Sequence, residues 1–95
     1  MSGTTRSSEG LDPRRRRLLY RAWHRGTQEM DLIMGPFADT VIGDLSEAEL
    51  ADFEALSDLP DPELYAWIVG GREVPAAHDT EMFRRLRAFH RKPAP

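Results

Sequence analysis

The stretch WHRGTQEMDLIMGPFADTV, residues 23–41, decides the fold. Within it Met30, Ile33, Met34, Phe37 and Val41 fall at i, i+3, i+4, i+7 and i+11, the core face of an amphipathic helix. Gly35 and Pro36 sit inside that helix, and proline removes one backbone donor and crowds the preceding turn, which predicts a kink. Just before it, Arg25, Gly26 and Glu29 are packed into five residues between two apolar stretches. A connection between helices needs only a turn, so opposite charges at fixed spacing on both sides of a glycine ask for a reason.

Working outward, the same period recurs and no strand does, because β-branched residues are few and no stretch alternates with period two. A first helix opens at Asp12-Pro13, a side-chain cap followed by proline at the first helical position, and carries Leu18, Leu19, Ala22 and Trp23 before Gly26 can end it. The kinked helix starts near Thr27 and is expected to stop at Gly43. A third is announced by Ser46 and Glu49 as a capping box, with Leu45 as the apolar residue ahead of the cap and Leu50, Phe53 and Leu56 inward. A fourth repeats the Asp-Pro start at Asp61-Pro62, carries Leu64, Tyr65, Trp67 and Ile68, and stops at Gly70-Gly71. A fifth begins around Asp79, turns Met82, Phe83, Leu86 and Phe89 inward, and gathers arginines toward its C-terminus, where the helix dipole favours them. The expectation is an all-α five-helix bundle over residues 12–91, with short connections, antiparallel neighbours and flexible tails at 1–11 and 92–95.

At 95 residues there is room for one core. The chain has no cysteine, which excludes disulfides, thiolate nucleophiles and Cys-ligated zinc and points to a reducing compartment. No apolar run is long enough for a membrane span, and the first ten residues lack the apolar stretch of a secretory signal. The net charge of −3 hides a lopsided distribution: Arg14, Arg15, Arg16, Arg17, Arg21 and Arg25 come first, and no Lys or Arg follows from Gly26 to Gly71. Acids fill that middle before the last helix turns basic again. Such blocks suit elements that lie beside one another with complementary fields, and they disfavour wholesale phosphate-backbone binding.

Catalytic constellations are scarce. His24, His78 and His90 lie far apart without paired ligand spacing, and are read as surface histidines before metal ligands. There is no phosphate-binding glycine loop and no serine nucleophile elbow. Trp23, Trp67 and Tyr65 could form a binding pocket but are more often core or half-buried edges of a small bundle, and Met30 and Met34 are more often core filler than a cofactor box. The corner itself admits two readings. In the first, Glu29 complements the start of its helix while Arg25 pairs with it across the corner, an exposed contact of only about 0–1 kcal/mol. Alternatively the bare glycine lets a partner backbone approach, and the flanking charges offer that partner a donor fork and an acceptor.

RGTQE at residues 25–29, followed by Met30-Asp31, an apolar helix and Phe37 with an acid, resembles the RGxxE region of the succinate dehydrogenase assembly factor family, the small flavinylation factors of bacteria and mitochondria. LSEAELADFEALSDLPDPELYAWIVG and EMFRRLRAF resemble the capped third helix, the D-P-x-L-[FY]-x-W segment and the last helix of that family, so the likeness covers roughly residues 14–91. It implies a five-helix bundle and a non-catalytic helper, not an enzyme. The helper would bind the flavoprotein subunit of succinate dehydrogenase, or for some bacterial relatives fumarate reductase, and promote covalent attachment of FAD to it. Arg25, Gly26 and Glu29 would be the partner-binding motif, with Asp31 in support and Phe37 on the same surface. FAD would be the cofactor of the client, with none held stably by this chain and no metal. The setting would be the bacterial cytoplasm or the mitochondrial matrix, and the protein a monomer without membrane insertion. The rival readings are a nucleic-acid-associated protein using the arginines from Arg14 to Arg21, a flavin-dependent enzyme, and an adaptor whose acidic middle takes a basic partner.

Overall fold

Five α-helices and one short 3₁₀ turn build the computed structural model, which describes residues 10–91. The expected tails at 1–11 and 92–95 fall outside the described residues except for Gly10 and Leu11, and Leu11 is buried in the core, so the folded domain begins before Asp12. Helix α1 is Pro13–Trp23, α2 Gln28–Val41, α3 Glu47–Ser57, α4 Asp61–Ile68 and α5 Glu81–Arg91, with the 3₁₀ turn Ala76–His78 ahead of α5. No strand occurs among the described residues, and no helix is long and apolar enough to cross a membrane.

Local chemistry sets the helix starts. The Asp12 carboxylate accepts the Arg15 N–H at 2.7 Å and Pro13 opens α1. Ser46 and Glu49 form the reciprocal box at α3, while Leu45 and Leu50 are both buried and fix the entry of the chain. Before α5 the Thr80 hydroxyl accepts the Phe83 N–H, and the Asp79 carboxylate turns to the Arg84 guanidinium at 2.9 Å. Helix α4 departs from expectation. Pro60 occupies the cap position, Asp61 is the first helical residue, and no side chain caps the start.

The apolar faces meet in one core, with α1 and α5 each packed against both α2 and α3. Phe37 is 2% exposed; it stacks on Phe53 and meets the edge of Phe89. Gly35 is explained by Trp23. A Cβ built on it would lie 2.4 Å from the indole, so the glycine lets the ring lie against the α2 backbone, where Trp23 Nε1 donates to Asp39. His78, read as a surface histidine, is half-buried and stacks on Trp67 at 5.5 Å.

The alternation of charge along the chain becomes contact between helices. Arg14 on α1 reaches Glu54 at 2.6 Å and Glu47 at 3.0 Å on α3, Arg21 reaches Asp58, and Arg85 on α5 reaches Glu49. The Arg14 guanidinium holds the Glu54 carboxyl below its ordinary range, and the Ser46 backbone N–H, then Arg85, does the same for Glu49. These pairs are at least one-third exposed, so solvent screens them, and they act mainly to set which helices adjoin. Arg15 and Arg16 are also engaged within the chain, on Asp12, Ile42 and Leu45 and on Leu11. Together with Arg14 and Arg21, these contacts give the arginine run a structural role.

Candidate functional site

Helix α1 ends at Trp23, with the His24 N–H bonded to the Arg21 carbonyl. Gly26 follows at φ +112°, a backbone conformation that a residue with a side chain rarely adopts. Thr27 then caps α2 by accepting the Met30 N–H at 3.2 Å. Between the two helices the Arg25 backbone N–H donates to the Asp31 carboxylate at 2.6 Å, so Asp31 ties the corner shut from the first turn of α2.

The Arg25 side chain does not face outward. It is 8% exposed and crosses to the α3–α4 turn, where Nη1 donates to the Ser57 carbonyl at 2.7 Å and Nη2 to that of Leu59 at 3.1 Å. Nε and Nη2 both reach Asp61 Oδ1, at 2.9 and 2.6 Å. A guanidinium is a rigid planar fork, and here it closes two turns on each other with four hydrogen bonds. Its acidic partner is Asp61 and not Glu29. This also explains the uncapped start of α4, since Asp61, which reads like Asp12, gives its carboxylate to Arg25.

The sequence-derived candidates therefore divide. Gly26 and Glu29 are exposed at the apex, and nothing lies within 4 Å of a Cβ built on Gly26. Arg25 and the half-buried Asp31 hold the corner from inside. Phe37 is a correction: its i+7 position on the apolar stripe puts it in the core, so it shares no outer surface with the corner.

Two residues next to the corner lie outside the RGxxE motif. Leu32 is 56% and Tyr65 40% exposed, large apolar side chains that the core leaves out. Leu32 lies in one groove with Gly26, Thr27 and Gln28, and Tyr65 in another with Thr27, Glu29 and Met30, so the two grooves flank the apex and share Thr27. For Leu32 a signal was available, since it falls off the stripe of Met30, Ile33 and Met34. For Tyr65 the D-P-x-L-[FY]-x-W segment marks the position, but α4 is too short to show which side is turned away.

The chain matches the family model described as flavinator of succinate dehydrogenase over residues 16–90. It is 40% identical over 80 residues to the FAD assembly factor SdhE of Acetobacter pasteurianus, a match covering 84% of this chain and 73% of that protein. It is 37% identical over 78 residues to the protein of the same name from Idiomarina loihiensis, covering 82% and 84%. To the mitochondrial succinate dehydrogenase assembly factor 2 of Dictyostelium discoideum it is 38% identical over 74 residues, covering 78% of this chain and 52% of that one. The chain thus spans about half the length of that mitochondrial relative. No solved structure matches it. The matched span takes in the corner and the helices that hold it, and the chain belongs to the family of succinate dehydrogenase flavinators, whose curated members are named FAD assembly factors.

Proposed function

We propose that this chain is a non-catalytic helper that docks onto the flavoprotein subunit of succinate dehydrogenase through the apex of its α1–α2 corner and promotes covalent attachment of FAD to that subunit. The observation that carries the reading is the open apex: Gly26 presents bare backbone at φ +112° with free space around it, and Glu29 stands exposed beside it. A partner backbone can come close there and find an acceptor, while Arg25 and Asp31 keep the corner from giving way.

The chemistry is then the client's own. Its histidine and its FAD must be held in a reactive arrangement, and a rigid wedge that binds that arrangement preferentially raises its population. The gain is limited to the differential affinity for the two states; a 100-fold preference corresponds to about 2.7 kcal/mol. On this reading FAD belongs to the client, the chain holds no cofactor and acts as a monomer, and its place is where the client matures: the cytoplasm of a bacterium, or the matrix of a mitochondrion. A fumarate reductase flavoprotein is a second client to test.

The test is fluorescence of covalent flavin on the client subunit, resolved on a denaturing gel, in the host with and without this gene. The signal should fall several-fold without the gene and return with it. An equal signal in both would overturn the reading.

A further inference from the structure

The apex alone offers a partner a glycine and a carboxylate, which is little area for a stable contact. The groove beside it adds a wall. Thr27, Glu29 and Met30 line it from the start of α2, and Asp61, Pro62 and Tyr65 from the start of α4, enclosing about 410 Å³, enough for one or two side chains. Met30 and Pro62 give it an apolar lining, and Tyr65 stands 40% exposed with its hydroxyl bonded to no other described residue.

The charge of this groove has one sign. No Lys or Arg occurs from Gly26 to Gly71, so both helix starts that form it carry acids alone. Arg25, the cation of the corner, is 8% exposed and already matched by Asp61. Glu29 lines the groove with no partner among the described residues. An apolar trough ending in an unmatched carboxylate and an exposed phenol ring fits a cation on an apolar stem, which can lie over the ring face and reach the acid.

We infer that this groove receives a basic segment of the flavoprotein client, an arginine or lysine beside an apolar residue, with Tyr65 and Glu29 as its contacts. The inference rests on the docking role proposed above and extends the contact from α2 to α4.

The experiment is capture of the purified client subunit by the full chain at about 50 and about 500 mM salt, for the wild type, Tyr65→Ala and Tyr65→Phe. Tyr65→Ala should weaken capture about tenfold or more, Tyr65→Phe should stay within about threefold of the wild type because the ring remains, and high salt should weaken the wild type. Tyr65 is outside the core, so thermal unfolding should be unchanged; if Tyr65→Ala does not fold, Tyr65→Gln replaces it. Wild-type capture that Tyr65→Ala leaves intact would overturn the groove while the docking role stands. Capture indifferent to salt would overturn the basic occupant. Self-association of the chain that Tyr65→Ala abolishes would assign the groove to a second copy and overturn it as well. A wild type that captures no client would remove the docking role itself, and the groove with it.

Discussion

At one end of α1, Arg15 donates to the carbonyls of Ile42 and Leu45 in the α2–α3 turn and to the carboxylate of Asp12. At the other, Arg25 sits two residues beyond the helix and donates to the carbonyls of Ser57 and Leu59 in the α3–α4 turn and to Asp61. Each guanidinium gathers two carbonyls of an interhelical turn and the acid of an Asp-Pro pair. The difference lies in reach and burial. Asp12 is three residues from its arginine, is 46% exposed and also caps its own helix. Asp61 is 36 residues from Arg25, is 21% exposed and caps nothing. The same dipeptide has two fates, decided by where its arginine comes from. The buried, long-range pin should carry more of the stability.

The sharpest test of that difference is Arg25→Ala. It leaves Asp61 and two turn carbonyls without their donor in a site with little water. The expected loss is about 2–4 kcal/mol, a Tm lower by about 10–20 °C, read by thermal and urea unfolding. Arg25→Lys should recover less than half, because an ammonium cannot span three acceptors in one plane. A loss below about 1 kcal/mol would make the two pins equivalent.

Two glycines separate in a similar way. Gly26 is required by its backbone angle and has space around it, whereas Gly35 is helical and has the Trp23 ring against it. Gly35→Ala should therefore cost about 1–3 kcal/mol through overpacking, seen as a lower urea midpoint, and pairing it with Trp23→Leu should return part of that loss. Gly26→Arg combines backbone strain with added bulk, which makes Glu29→Ala the cleaner probe of docking.

Arg15→Ala should cost about 1–2 kcal/mol by the same measurement, less than Arg25→Ala, since its carbonyls and Asp12 regain water. The two arginines share no partner, so their losses should add to within about 0.5 kcal/mol.

The smallest effect concerns acid. The Arg15 backbone N–H holds the Asp12 carboxyl below its ordinary range, and the Arg84 side chain does so for Asp79, as Arg14 does for Glu54 and the Ser46 N–H for Glu49. A carboxylate with a depressed folded value stabilises above the unfolded value, near about 4, and that stabilisation is lost as pH falls through the folded one. The urea midpoint should be flat from about pH 8 to 5 and decline below about pH 4. A decline that starts near neutrality would point to other groups.

The range of each interaction decides how legible it is in the sequence. The helix starts at Asp12-Pro13 and Ser46 with Glu49, and the stripe from Met30 to Val41, were legible because their partners lie within four residues of each other and leave a periodic signature. The assignment of basic α1 to acidic α3 was legible in outline, since blocks of opposite sign must end beside one another. Asp61 was misread as a second cap because its partner is 36 residues away and leaves no local trace. Phe37 shows the reverse: its spacing put it in the core, and only the docking surface expected of a bent α2 moved it outward. The groove beside Gly26 and Glu29 was legible only in part: the D-P-x-L-[FY]-x-W segment marks Tyr65, but an eight-residue helix does not show that this side is turned outward.

The central claim is that the motif is divided, with Arg25 and Asp31 turned inward to hold the corner and Gly26 and Glu29 turned outward to dock. The most direct measurement is covalent flavin on the client subunit in cells carrying Glu29→Ala, with the Tm of that variant measured alongside. The Tm should lie within a few degrees of the wild type, since Glu29 contributes only about 0.3–1 kcal/mol at the start of α2, while most of the covalent flavin should be lost. Full flavinylation by a folded Glu29→Ala variant would contradict that claim.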